Sequence, residues 1–439
     1  NFQLNGLRFN SASSDYLNRT SGTSTDTKKL TFSFWVKRGN SAREQHFLNS
    51  SGSACQFYFA SDEKIYYTDG TASGQYKTSQ VFRDFSAWYH LVVAEDTTQA
   101  TASDRIKIYV NGTRLTAFDI ATTPTLNAGS GWNANSTATY IGRYNPSPTG
   151  YYYDGYLSEF NFIDGQALTP TDFGKTDAAS GIWLPKKYSG SYGTNGFFLP
   201  FDNAADLGAD ASGNANDFTE NNLTSIDKVT DTPQNNFATF NALTKNTARG
   251  TLSNGNLTYV ATDSNWSAIP SSIGVSSGKW YAEFKFSSSV GNDLNVGIID
   301  EASLYNVISS GAGASDFYIG KTSGSYGYFA NGNKVNTASS TAYGTSYTNG
   351  DIVGVALDMD AGTIVFYKNG ASQGTAFTGL SGTYFIGLST YKTGEANFGN
   401  APYTISSGNA DGNGYGNFEY AVPTGYLSLN TKNLAEVNS

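Results

Sequence analysis

Short stretches in which apolar and polar residues alternate with period two, each stopped by a turn signal, constrain this chain more than any other feature. In residues 30–38, Phe32, Phe34 and Val36 share one side while Ser33, Trp35 and Lys37 share the other, the pattern of a strand with two distinct faces. Ile106, Ile108 and Val110 alternate with Lys107 and Tyr109, then stop at Asn111-Gly112. Both residues of an Asn-Gly step accept positive φ, so the step predicts a tight hairpin. Residues 280–286, 352–359 and 364–367 read as further strands, the last followed by Asn369-Gly370. No stretch of comparable length carries a helical period. Strands this short predict antiparallel β-sandwiches, not a parallel α/β sheet. The 30 Tyr and 28 Phe suit pleated surfaces, and the 48 Gly supply turns.

With 439 residues there is room for two or three domains. Ile106-Lys-Ile-Tyr-Val-Asn-Gly112 is matched by Ile364-Val-Phe-Tyr-Lys-Asn-Gly370, and each hairpin follows an apolar strand. Each also precedes an aromatic-Ile-Gly step, Tyr140-Ile141-Gly142 and Phe385-Ile386-Gly387. The chain therefore reads as two sandwiches in tandem, residues 1–175 and 236–439. The Gly/Asn/Asp-rich connector, 176–235, is expected to hold short extended segments packed on one or both sandwiches. Trp183, Phe197, Phe198 and Phe201 would be costly to leave in water.

The charge balance is 27 basic against 36 acidic residues, net −9, with no basic run. That argues against nucleic acid as a partner, because phosphate binding needs a clustered basic surface. A single Cys55 excludes an intrachain disulfide framework. No apolar run approaches the roughly 18–20 residues of a membrane span. No signal peptide opens the chain, and it starts at Asn1 without Met, the expectation for a processed or trimmed product.

Several segments carry a resemblance. They are Gly6-Leu-Arg-Phe9 with Tyr16-Leu17, Phe32-Ser-Phe-Trp-Val-Lys-Arg-Gly39, Trp88-Tyr-His-Leu-Val92 and the 106–112 hairpin. Asp154-Gly-Tyr-Leu-Ser-Glu-Phe-Asn-Phe162 and Gly165-Gln-Ala-Leu168 complete the set. Through them residues 1–175 resemble a laminin-G-like (concanavalin A-like) jelly roll. Gly278-Lys-Trp-Tyr-Ala-Glu-Phe284, Val296-Gly-Ile298, Tyr326-Gly-Tyr328, Asn349-Gly-Asp-Ile-Val-Gly-Val355 and Asn397-Phe-Gly399 make the second half resemble a SPRY-type sandwich. Between them, Gly193-Thr-Asn-Gly-Phe-Phe-Leu199, Asp210-Ala-Ser-Gly-Asn214 and Asp231-Thr-Pro-Gln-Asn-Asn-Phe237 are similar to segments of bacteriophage virion proteins. Pro423-Thr-Gly-Tyr426 followed by Leu429-Asn430 fits the same group. The resemblance implies a phage structural protein on the virion surface, in a fibre, tail appendage or capsid decoration. On that reading other virion proteins are the expected partners, with a homo-oligomer (a trimer in a fibre); the resemblance does not identify the ligand, and host-surface polysaccharide is the expected one. A purely structural decoration protein and a secreted bacterial adhesin are the alternatives.

No catalytic residues are expected. Retaining glycosidases need two carboxyl groups about 5–5.5 Å apart, and no Glu-x-Asp-x-x-Glu run occurs. Glu95-Asp96 point to opposite faces, and Asp358 and Asp360 sit at a turn. The only imidazoles are His46 and His90, and His90 shares a strand face with Trp88 and Val92, as a satisfied core or rim histidine would. Calcium is the one cofactor candidate: Asp206, Asp210, Asn214 and Asp217 cluster with bending glycines, without EF-hand spacing. The ligand-binding candidates are loop aromatics: Trp132, the loop carrying Tyr144, Tyr151, Tyr152, Tyr153 and Asp154, then Tyr343, Tyr347 and Tyr391. Sugar rings dock on aromatic faces while Asn and Asp bond hydroxyls. The same aromatics could equally bury an interface with neighbouring chains.

Overall fold

Both Asn-Gly steps close tight hairpins. Asn111 and Gly112 have φ of 48° and 81°, and Asn369 and Gly370 have 47° and 77°. Each Asn side chain also accepts a hydrogen bond from the strand before its hairpin: Asn111 Oδ1 from His90 N at 2.8 Å, Asn369 Oδ1 from Ile352 N at 2.9 Å. The likeness of the two halves is thus a shared device that secures three adjacent strands.

These hairpins belong to a computed structural model that describes every residue except 1–3, 40–42, 51–53, 72, 146–150, 246–248, 289–292, 310–316 and 438–439. The chain divides into two units, Asn1–Gln234 and Asn235–Ser439. Each is built from antiparallel sheets, so the fold is all-β with two sandwiches in tandem.

In the first unit one sheet runs Thr113–Arg114, Ile106–Val110, Trp88–Asp96, Lys29–Arg38, Gly155–Asp164, Gly6–Phe9, Lys228–Val229. The other runs Phe118–Thr122, Gln75–Val81, Lys64–Asp69, Cys55–Phe59, Gln45–Ser50, Ala138–Ile141, Tyr16–Thr20, Thr219–Asn221. Phe32, Phe34 and Val36 face the second sheet, and Phe34 stacks on Phe160 at 4.5 Å and meets Phe57 edge-on at 5.5 Å.

Residues 176–234 fold into this unit. Phe197–Leu199 pairs with Gly155–Asp164, Thr219–Asn221 with Tyr16–Thr20, and Lys228–Val229 with Gly6–Phe9. The segment also covers the outer face of the first sheet, so Ser33, Trp35 and Lys37 are buried as fully as their neighbours. Asp231 accepts from Lys37 Nζ at 2.8 Å and from Trp88 Nε1 at 3.0 Å. Trp183 Nε1 donates to His90 Nδ1 at 3.0 Å, leaving Nε2–H to donate to Ser33 Oγ at 2.9 Å. Burial pushes the His90 pKa down to about 3, so the ring is neutral and structural.

In the second unit one sheet runs Gly250–Ser253, Thr258–Ala261, Thr393–Asn397, Lys279–Ser288, Ile352–Asp358, Thr363–Lys368, Ala371–Thr378. The other runs Ser267–Val275, Tyr384–Thr390, Leu294–Asp300, Ser325–Phe329, Asn333–Asn336, Ser339–Ala342. Glu301–Ser309 and Thr431–Val437 are helical. On Lys279–Ser288, a central strand of the first of these sheets, Glu283 accepts from the backbone N–H groups of Glu419 and Tyr420, both at 2.9 Å. No helix is long and apolar enough to cross a membrane among the described residues.

Candidate functional site

The second sheet of the first unit presents a different outer face, one that is not sealed. In Cys55–Phe59, Cys55, Phe57 and Phe59 turn inward while Gln56 and Tyr58 stay half-exposed. The next strand repeats the arrangement, with Ile65 and Tyr67 inward and Lys64 and Tyr66 outward. Strand register places these residues in two parallel rows, within which His46, Asn49 and Thr68 are buried. One row is His46, Tyr58, Tyr66, Lys77, each the cross-strand partner of the next. The other is Asn18, Tyr140, Asn49, Gln56, Thr68, Gln75. A row of rings therefore runs beside a row dominated by amides.

The rings are closely associated. His46 stacks on Tyr58 at 4.2 Å and 16°, and Tyr58 lies 5.1 Å from Tyr66. Tyr144 and Tyr151 approach His46 at 4.8 and 5.7 Å. Burial, with Glu44 next in effect, raises the Tyr58 phenol well above its ordinary value; burial also raises Tyr66. Both stay neutral O–H groups near pH 7. His46 is only 1% exposed and neither ring nitrogen makes a hydrogen bond; Glu44 Oε2 stands 3.6 Å from Nε2. Beyond it, Arg143 lies over Tyr16, Tyr140 and Tyr152 at 4.6, 5.4 and 5.7 Å. Flat apolar ring faces beside amide donors and acceptors are the chemistry that holds a saccharide.

Of the aromatics expected to bind, Tyr144, Tyr151 and Tyr152 lie on this face, Tyr151 being 40% exposed. Residues 146–150 of their loop lie outside the described residues. Trp132 is corrected: it is 3% exposed, packed in the core against Phe32 at 5.2 Å and Tyr67 at 6.1 Å. Tyr153 is also a core residue, its hydroxyl donating to Lys37 O at 2.6 Å. Buried Asp154 accepts from Ser11 N and Oγ at 3.3 and 3.2 Å, fixing a loop instead of meeting a ligand. Tyr347 is buried with its hydroxyl on Tyr328 O at 2.6 Å, and Tyr343 donates to Gly374 O. Tyr391 joins a separate half-buried group, 5.2 Å from Trp266, with its hydroxyl on Asp293.

The calcium candidates are organised without an ion. Asp210 accepts from the backbone N–H groups of Phe198, Ser212 and Asn216, at 2.9, 2.8 and 2.9 Å, and from Ser212 Oγ at 2.7 Å. Asp217 accepts from Asp210 N at 2.8 Å. Asn214 Nδ2 donates to Gly193 O and Gly196 O, while Asp206 is exposed apart from this knot. Among the described residues, no group of three or more His, Cys, Asp or Glu is placed to hold a metal. The carboxylates of Asp210 and Asp217 thus accept backbone N–H groups.

Sequence reasoning missed Tyr16, His46, Tyr58, Tyr66, Tyr140 and Arg143. The alternation in residues 55–59 and 64–68 carried the signal, but alternation does not say which face stays open.

Comparisons with known proteins agree with this architecture. Residues 11–172 match the concanavalin A-like lectin/glucanases superfamily, and residues 279–401 match the SPRY domain. The chain thus carries a concanavalin A-like domain followed by a SPRY domain. Similar curated proteins include the E3 ubiquitin-protein ligase RKP of Arabidopsis thaliana, 41% identical over 14% of this chain and 5% of its own length. Ran-binding protein 9 of Xenopus tropicalis is 35% identical over 18% of this chain and 16% of its own. The probable ATP-dependent RNA helicase ddx1 of Dictyostelium discoideum is 31% identical over 32% and 17%. The chain spans less than a fifth of each of these relatives. Among solved structures, the SPRY domain of human HERC1 aligns with TM-score 0.27 and 22% identity, covering 32% of this chain and 87% of that domain. A pentraxin from Limulus polyphemus aligns with TM-score 0.28 and 14% identity, covering 38% and 79%.

Proposed function

We propose that this chain is a non-enzymatic recognition protein whose first unit holds a saccharide along the outer face of its second sheet. The observation that carries this reading is the pair of registered rows, His46-Tyr58-Tyr66 beside Tyr140-Asn49-Gln56-Thr68. Neighbouring rings give stacking platforms, while half-exposed Gln56 and the tyrosine hydroxyls reach sugar hydroxyls. This activity requires no cofactor and no catalytic carboxylate. The SPRY domain adds a second binding scaffold.

The narrower reading places the protein on a bacteriophage virion, outside the host cell, with other virion proteins and further copies of itself as neighbours. It rests on the similarity of residues 193–199, 210–214 and 231–237 to phage virion segments; the relatives named above are eukaryotic and match only part of this chain. Many copies on one particle would make weak saccharide contacts effective through avidity.

The test is binding of the whole chain to an oligosaccharide panel, compared with Tyr58→Ala/Tyr66→Ala. Losing two stacking contacts of ~0.5–1.5 kcal/mol each lowers affinity about tenfold or more. Unchanged binding by the double variant refutes the assignment of this face. Electron microscopy of an assembled particle tests the placement: a face buried against a neighbouring subunit makes it structural instead.

A further inference from the structure

We infer that the ligand of this face is an anionic saccharide, and that Arg143, with Arg43 beside it, receives the acid group; the inference rests on the saccharide reading above. Two lysines elsewhere on the same sheet are neutralised. Lys77 pairs with Asp62 at 2.8 Å, and Lys64 pairs with Asp119 at 2.5 Å. At the Arg143 end the pattern breaks. Among the described residues, neither Arg143 nor Arg43 makes an ion pair. Among the same residues Arg143 makes two long hydrogen bonds, Nε to Tyr144 O at 3.5 Å and Nη2 to Asn145 Oδ1 at 3.4 Å. Arg43 donates through Nη2 to Tyr152 O at 2.6 Å, and its buried Nε has no partner. The nearby acid, Glu44, is turned to His46 at 3.6 Å.

Two half-buried guanidinium groups therefore flank Tyr152 in a chain of net charge −9. A guanidinium carries five N–H donors in one plane. Tyr16, Tyr140 and Tyr152 contact Arg143 as rings and fix its orientation, yet supply no acceptor for its edge. A planar edge held this way fits two oxygens of a carboxylate or sulfate. The ring row begins beside it, since Tyr144 follows Arg143 in the chain and bonds it through its carbonyl, while the Tyr144 and Tyr151 rings approach His46. A saccharide chain seated on Tyr58 and Tyr66 can thus place an acid substituent on Arg143.

The experiment uses the full chain labelled with [15N]arginine, wild type and Arg143→Gln. Sodium sulfate is titrated at constant ionic strength while the arginine Nε–H resonances are followed. Uronate, sulfated and neutral oligosaccharides of equal length are then compared by calorimetry. A saturable sulfate shift of the resonance missing from Arg143→Gln is expected. Acidic oligosaccharide should bind about tenfold tighter than neutral, the scale of a charge-assisted hydrogen bond. Arg143→Gln should abolish that preference, and Arg143→Lys should retain part of it. Comparison of the uronate and sulfated arms identifies the acid. Equal affinity for acidic and neutral ligands, or no shift with sulfate, overturns the inference while leaving the saccharide reading standing. A sulfate shift without any saccharide binding supports the anion site and refutes the saccharide reading.

Discussion

Removing the Asp231 carboxylate is the sharpest test of how residues 176–234 are held to the first unit. Lys37 Nζ and Asp231 Oδ2 are 2.8 Å apart, with side chains 0% and 2% exposed, and the same carboxylate takes the Trp88 indole N–H. Asp231→Ala leaves a buried ammonium without this counter-charge, a loss of about 3–5 kcal/mol. At ~2.1 cal/mol/K per residue over the 234 residues of the unit, each kcal/mol lowers Tm by about 2 °C. The expected fall is therefore roughly 6–10 °C. Thermal unfolding followed by tryptophan fluorescence reads it, since Trp35, Trp88 and Trp183 lie around the pair. The second arm is Lys37→Met with Asp231→Ala. Removing both charges should recover about 2 kcal/mol or more relative to Asp231→Ala alone, because the ammonium no longer has to be buried uncompensated. A cost below about 1 kcal/mol for Asp231→Ala, or a double variant no more stable than the single, refutes the reasoning.

Three further outcomes are expected. Burial, then the charge of Asp69, raises the Glu95 carboxyl to about 8. Its contribution is thus full below its ordinary 4.5 and is lost as pH rises through 8; denaturant unfolding between pH 6 and 8 should show a loss of roughly 2 kcal/mol that Glu95→Gln removes. His90 has the opposite sign: its pKa is lowered, so its contribution is present above 6.5 and falls away toward pH 3, by ~1.4 kcal/mol per unit. His90→Gln should flatten that acid limb. Asn369→Ala keeps a β-carbon at φ 47° without the amide that eases that conformation, and removes the acceptor of Ile352 N, costing about 1–2 kcal/mol in equilibrium unfolding, while Asn369→Gly costs less.

The hairpins and the inward strand faces were legible because they depend on local chemistry. Asn111-Gly112 turns wherever it sits, and Phe32, Phe34 and Val36 lie on one side of any strand that contains them. The binding candidates were not, for the same reason. Trp132 and Tyr151 both sit in polar, turn-rich sequence, yet one fills the core and the other is exposed. With 58 Phe and Tyr in the chain, aromatic character does not separate core from surface. The calcium candidates show the same ambiguity, since oxygen-rich turns suit a cation and backbone N–H groups equally well.

From its sequence alone this protein is two antiparallel β-sandwiches with Asn-Gly hairpins, acidic, and free of disulfide cross-links within the chain. Tertiary structure decided which sheet faces remain open. Period-two alternation sorts residues onto two sides of a strand, and says nothing of what later covers either side. Ser33, Trp35 and Lys37 were sealed by a segment more than 140 residues away, through Trp183 and Asp231. Tyr58 and Tyr66 have no such cover among the described residues and stay half-exposed. His46 is far in the chain from Tyr140 and Arg143, and the pairing of Gln45–Ser50 with Ala138–Ile141 brings them onto one face.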